Sequence, residues 1–164
     1  IDPHPEPASW RREIRHDIFE GLNNESDMET PYTYVFAGRH DRTAEILRAI
    51  MTFQFTVGNG GLPGNEDSGG LSSWYVWTAI GLFPISGQDL LVIGSPIVDE
   101  ARLAVGNGEF VIRAESNSAV NIHPQRVILN GRELDRIWLR PAELQAGGTL
   151  VLEMGPQPRA WPAP

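Results

Sequence analysis

The sequence predicts an α+β chain in which helices come first and strands second. Up to about residue 84, apolar residues recur at helical spacing between loops rich in Gly, Asn and Pro. Beyond about residue 88, short apolar and β-branched runs alternate with hairpin-forming Gly and Asn pairs. At 164 residues the chain has room for roughly one domain or two very small ones.

The helical half is read as follows. Residues 10–19 form a first candidate helix. Thr30 is placed to cap a second, with Pro31 at the first helical position, where its missing N–H costs nothing, and Gly38 to stop it. Asp41 caps a longer helix with Ala44, Leu47, Ile50 and Met51 on one face. Residues 57–67 are dense in Gly and Asn and fit neither period. Ser68 caps the last helix, whose Leu71, Trp74, Tyr75, Thr78 and Ala79 fall at i, i+3, i+4, i+7 and i+8. Trp74 and Tyr75 therefore read as core, whereas Trp77 is offset from the stripe. These amphipathic segments are too few to close a bundle, so further helices upstream are expected.

The second half predicts strands at 90–93, 102–105, 110–114, 126–129 and 149–153. Gly106-Asn107-Gly108 and Asn130-Gly131 are its hairpin turns, and 140–146 forms one helical turn before the last strand. This describes a small antiparallel β region. The proline-bearing tail at 157–164 is expected to be poorly ordered unless Trp161 docks it.

Composition narrows the function. The net charge of −8 argues against a nucleic-acid partner, for which a basic face supplies most of the affinity. All 13 basic residues are Arg. Without Lys there is no P-loop lysine, Schiff base or lysine general base. Without Cys there is no disulfide, thiol nucleophile or Cys-bound zinc. No apolar run approaches the roughly 20 residues of a transmembrane helix. The chain opens on Ile1-Asp2-Pro3-His4 rather than Met, and the expectation is a segment from within a longer gene product.

The richest stretch for chemistry is 58–70, where glycines lead into Asn65, Glu66 and Asp67 just ahead of a helix. Glycine admits conformations and close approaches that a Cβ forbids. The side chains are hard oxygen donors suited to calcium, and a carboxylate there can act as general base. The same acids can instead cap the helix and meet its dipole, and on residues alone both readings stand. A second polar loop, Asn23-Asn24-Glu25-Ser26-Asp27, contains an Asn-X-Ser sequon and lacks the spacing of an EF-hand. With two helices between them, the two loops fall at one end and their side chains can converge on one cavity. The His residues form no i, i+4 pair and lie apart from the acidic loops, so none is read as a ligand. The serines lack the elbow motif of a serine hydrolase.

These motifs resemble glycoside hydrolase family 92, the calcium-dependent exo-acting α-mannosidases. The likeness rests on Gly-Leu-Pro-Gly-Asn-Glu-Asp-Ser-Gly at 61–69, Ser-Trp-Tyr-Val-Trp at 73–77, Ala-Ile-Gly-Leu-Phe-Pro at 79–84 and Ile-Gly-Ser-Pro at 93–96. It continues at 127–131 and 147–155, and upstream at Asn24-Glu25, Pro31-Tyr32, Ala37-Gly38-Arg39 and Thr43.

The resemblance implies that residues 1–87 are the last helices of an (α/α)6 barrel and 88–164 a small β region closing the chain. An N-terminal β-sandwich and the upstream barrel helices would then be the missing partners. It implies an inverting hydrolase acting on terminal α-mannosides of glycans, in a secreted or periplasmic setting. Asp67 is carried over as general base, with Glu66 its acidic neighbour assisting or orienting the water. Asn24, Glu25 and Gly64 line the mannose site, and Asn65 and Glu25 hold the calcium. The family's general-acid Glu lies upstream of these residues, so the chain alone should be inactive. Two positions depart from the common pattern: Gly70, where members often carry Gln, and Ser26, where many have Pro. The rival reading is a non-catalytic carbohydrate-binding or structural module.

Overall fold

The computed structural model describes residues 22–106 and 108–164. The helix expected over 10–19 and Asn107 of the hairpin turn lie outside the described residues. Helices α1 (Glu25–Phe36), α2 (His40–Phe53) and α3 (Gly70–Ala79) come first. Strands β1 (Leu82–Pro84), β2 (Leu91–Ile93), β3 (Glu100–Val105), β4 (Gly108–Glu115), β5 (His123–Leu129), β6 (Arg132–Leu134) and β7 (Trp138–Leu139) follow, then a short α4 (Pro141–Gln145) and β8 (Gly148–Gly155).

Helix α1 begins six residues ahead of the start expected at Pro31. Asn24 is its cap: its Oδ1 accepts the Glu25 N–H at 3.2 Å, and Asp27 Oδ2 accepts the Asn23 and Asn24 N–H groups at 3.2 and 3.1 Å. This capping box satisfies several amide donors at once. Pro31, now inside the helix, removes only the bond to the Asp27 carbonyl while its fixed φ suits the helix. Thr30 caps nothing; its hydroxyl donates to the Ser26 carbonyl at 2.9 Å. Gly38 does stop the helix, at φ +70°, with Gly38 N–H on the Val35 carbonyl (3.0 Å) and Arg39 N–H on the Tyr34 carbonyl (2.8 Å). This is the Schellman arrangement, which glycine enters without a Cβ penalty.

Asp41 is likewise not a cap. It sits in the first turn of α2, where its charge meets the positive end of the helix, and pairs with Arg39 at 2.7 Å. The stripe Ala44, Leu47, Ile50 and Met51 is buried as its spacing requires. Ser68 also fails to cap α3, because Gly69 holds that position in a left-handed conformation.

The β half forms two sheets, not one. A three-stranded sheet runs β1-β2-β7, and a five-stranded sheet runs β3-β4-β8-β5-β6. All pairs are antiparallel except β4 with β8, which are parallel, so the expected antiparallel region is mixed. Strands β1, β6 and β7 have two or three residues each, too few for an alternation to register in the sequence. In the β5–β6 hairpin, Asn130 (φ 50°) and Gly131 (φ 80°) occupy the turn between Leu129 and Arg132, as Asn-Gly pairs do.

One hydrophobic cluster joins helices and strands, including Tyr32, Leu47, Trp74, Phe83, Ile93, Phe110, Leu139 and Leu152. Tyr32 stacks on Phe83 with ring centroids 4.2 Å apart, and its hydroxyl bonds Thr78 Oγ1 at 2.8 Å. The β1–β2 pairing spans position 87. Buried Arg48 bolts α2 to the loops of the β half: Nε donates to Ser95 Oγ (2.8 Å), and its other nitrogens donate to Asn117 Oδ1 and the Ser118 carbonyl. Burial lowers the Arg48 guanidinium to about 10. Trp161 docks the tail, and Gln125 helps to hold it by donating to the Gln157 carbonyl at 2.7 Å and accepting from Arg159. Trp161 is 4% exposed, donates Nε1–H to the Pro124 carbonyl at 3.3 Å, and lies under the Arg159 guanidinium.

Candidate active site

The glycine-rich loop closes on itself before it reaches the acids. Thr56 N–H donates to the Gly61 carbonyl (2.8 Å) and Gly61 N–H to the Gly58 carbonyl (3.0 Å). The loop then runs against the chain entering α1, where Asn65 N–H donates to the Asn23 carbonyl at 3.0 Å. Gly64 permits this approach, because a Cβ there would stand 2.2 Å from the Asn23 oxygen and 2.4 Å from its Cα. The two polar loops therefore meet backbone against backbone.

After Asn65 the two acids divide the work. Glu66 takes up donors of the first turn of α3 from outside the cap position: its carbonyl accepts the Gly70 N–H at 2.7 Å, and its Oε2 accepts the Ser72 N–H at 3.2 Å. With those donors taken, Asp67 is left exposed and uncommitted to the helix. Asp67 (φ 40°), Ser68 (φ 62°) and Gly69 (φ 90°) form a left-handed run. For Asp67 and Ser68 this conformation costs of order 1–3 kcal/mol each, the kind of strain that clusters at functional sites.

Asp67 faces the first residue of α1. Desolvation, then the charge and hydrogen bond of Glu25, and then the charge of Glu66 raise its carboxyl above the ordinary carboxylate range. Asn24 contributes through its cap, and Gly64 and Asn65 through their backbones. The donors here are hard oxygens of the kind calcium selects, and Glu25 and the Asn65 amide fit such an ion in kind. Among the described residues, no three Asp, Glu, His or Cys side chains stand together as a metal cage.

The described histidines, His40 and His123, belong to the scaffold, and His4 and His16 lie outside the described residues. His40 is buried, its Nε2 bonded to the Ile93 carbonyl at 2.8 Å, and burial lowers it to about 4. His123 is buried in the β half. Trp74 is core, as its spacing indicates, and stacks parallel to Phe55 at 5.8 Å. Sequence reasoning did not find its other contact: the indole N–H donates to the Met28 carbonyl in α1 at 2.8 Å. No local pattern signals a bond between residues 46 positions apart.

The family model described as the glycosyl hydrolase family 92 catalytic domain matches residues 7–156. The chain belongs to this family. A protein of Arthroderma benhamiae described as an uncharacterized secreted glycosidase is 31% identical over 85% of this chain and 19% of its own length. Among solved structures, a family 92 inverting mannosidase of Bacteroides thetaiotaomicron is 30% identical, with a TM-score of 0.79, over 93% of this chain and 22% of that one. A second family 92 α-mannosidase of that organism, solved with mannoimidazole, shares the fold at a TM-score of 0.79 and 24% identity, over 84% of this chain and 18% of that one. This family 92 chain thus spans about a fifth of the length of these relatives.

Proposed function

We propose that this family 92 chain supplies the general-base side of an inverting, calcium-dependent exo-α-mannosidase that removes terminal α-mannosides from glycans. The observation that carries the reading is Asp67, held on a left-handed turn, released from capping by Glu66 and set against Glu25.

Inversion needs a carboxylate that activates water on one face of the sugar and an acid about 6.5–9.5 Å away that protonates the leaving oxygen. Asp67 accepts the proton as the water oxygen forms its bond to the anomeric carbon and the glycosidic bond breaks on the opposite face. Its raised carboxyl makes it a better base at a given degree of ionisation. Glu66 orients the water. Asn24, Glu25 and Gly64 line the mannose pocket, and Glu25 and Asn65 contribute to the calcium site. Calcium, when bound, polarises sugar hydroxyls and favours distortion of the ring. The general-acid Glu comes from the protein upstream, so this chain alone does not hydrolyse mannosides.

In this reading α1, α2 and α3 are the last helices of an (α/α)6 barrel within 1–87, and 88–164 closes the chain. The apolar character of α3 supports further helices packing on it, since Val76 is an apolar side chain left 58% exposed beside the exposed Ser72 and Ser73. The name of the fungal relative supports a secreted setting, and no described helix is long and apolar enough to cross a membrane.

The test is Asp67→Asn in the complete enzyme. The kcat should fall about 10²–10⁴-fold with the fold intact, the range expected for a lost general base. Near-normal turnover would overturn the assignment.

A further inference from the structure

We infer that Trp74 is a positioning residue for the general base, acting through the first turn of α1. The inference rests on Asp67 being that base, and it concerns how Asp67 is held against Glu25.

The two carboxylates come from separate segments. Glu25 opens α1, and Asp67 lies three residues ahead of α3. Their separation therefore depends on how the two helices start relative to each other. Met28 stands three residues into α1 and Trp74 four residues into α3, so each is about one helical turn from the helix end that presents its carboxylate. The indole–carbonyl bond at 2.8 Å links these two turns directly. The indole is 1% exposed and stacked on Phe55, which fixes the direction of its N–H. Gly70 brings the helices together at the same level, because a Cβ there would meet Met28 Cε at 2.8 Å. On the other side of the acids, the Asn65 to Asn23 backbone bond pins the loop. Asp67 is thus suspended between two ties, one of backbone and one made by Trp74.

The bond brings no ligand into the site, so its loss should act on the chemical step. A displacement of about 1 Å at a reacting group can cost about 10²-fold. Trp74→Phe in the complete enzyme keeps the stacked, buried ring and removes the N–H. We expect kcat to fall about 10- to 100-fold on an aryl α-mannoside, with KM changed less than 3-fold. In an Asp67→Asn background the same substitution should cost nothing more, because the group it positions is already gone. Replacing Trp74 by 3-benzothienylalanine, which swaps only the N–H for sulfur, should reproduce the loss if Trp74→Phe proves unstable. Unchanged kcat in a folded variant overturns the inference. So do losses that multiply in the Asp67→Asn background, which would mark Trp74 as a structural residue and leave the base assignment standing. Near-normal turnover of Asp67→Asn alone would instead remove the base assignment itself.

Discussion

Adding one methyl group to Gly64 is the sharpest test of how the site is assembled. The Cβ of Gly64→Ala would lie 2.2 Å from the Asn23 oxygen, 2.4 Å from its Cα and 2.7 Å from its carbonyl carbon, against 3.4 Å or more for ordinary contact. All three neighbours are backbone atoms, so no side chain can swing aside. Either the loop carrying Asp67 or the chain entering α1 must retreat by roughly 1 Å, and the Asn65 to Asn23 bond at 3.0 Å is the first to stretch. Overpacking of this kind costs about 1–3 kcal/mol. A shift of that size between Asp67 and Glu25 should lower kcat about 100-fold. The assay is steady-state hydrolysis of an aryl α-mannoside by the complete enzyme, with circular dichroism to establish the fold. Gly108→Ala is the control, since its Cβ would meet nothing within 4 Å. A folded Gly64→Ala enzyme with wild-type kcat would refute the idea that this close approach sets the catalytic geometry.

Two further outcomes follow from the scaffold. His40 is held near 4 by burial, against about 6.5 unfolded, so between those values the unfolded chain binds more protons. Stability attributable to His40 is complete above pH 6.5 and is lost on acidification towards pH 4, by about 3 kcal/mol. Urea midpoints measured across this window should fall for the wild type and stay flatter for His40→Gln; parallel curves would rule His40 out. Trp161→Ala removes a buried anchor and its bond to the Pro124 carbonyl. It should cost about 3 kcal/mol and open the tail to limited proteolysis, while a protected tail would mean that other contacts hold it.

What the sequence determined by itself is local. The α2 stripe, the stop at Gly38 and the Asn130-Gly131 hairpin each draw on residues within one turn or one strand, where periodicity and φ preference act without outside help. The motif at 61–69 likewise marked the candidate site, because its glycines and acids are contiguous. Even locally, rival signals competed: Pro31 suggested a start for α1, but the Asn24 and Asp27 cap satisfies more donors than the proline removes. Which of Glu66 and Asp67 meets the donors of α3 needed the three-dimensional arrangement, since both acids can do so and the left-handed turn at 67–69 leaves that task to Glu66. Tertiary structure alone paired β4 in parallel with β8, set Gly64 against Asn23 and joined Trp74 to Met28. These contacts link segments tens of residues apart. Their geometry follows from how whole elements pack around one core, which no window of sequence contains.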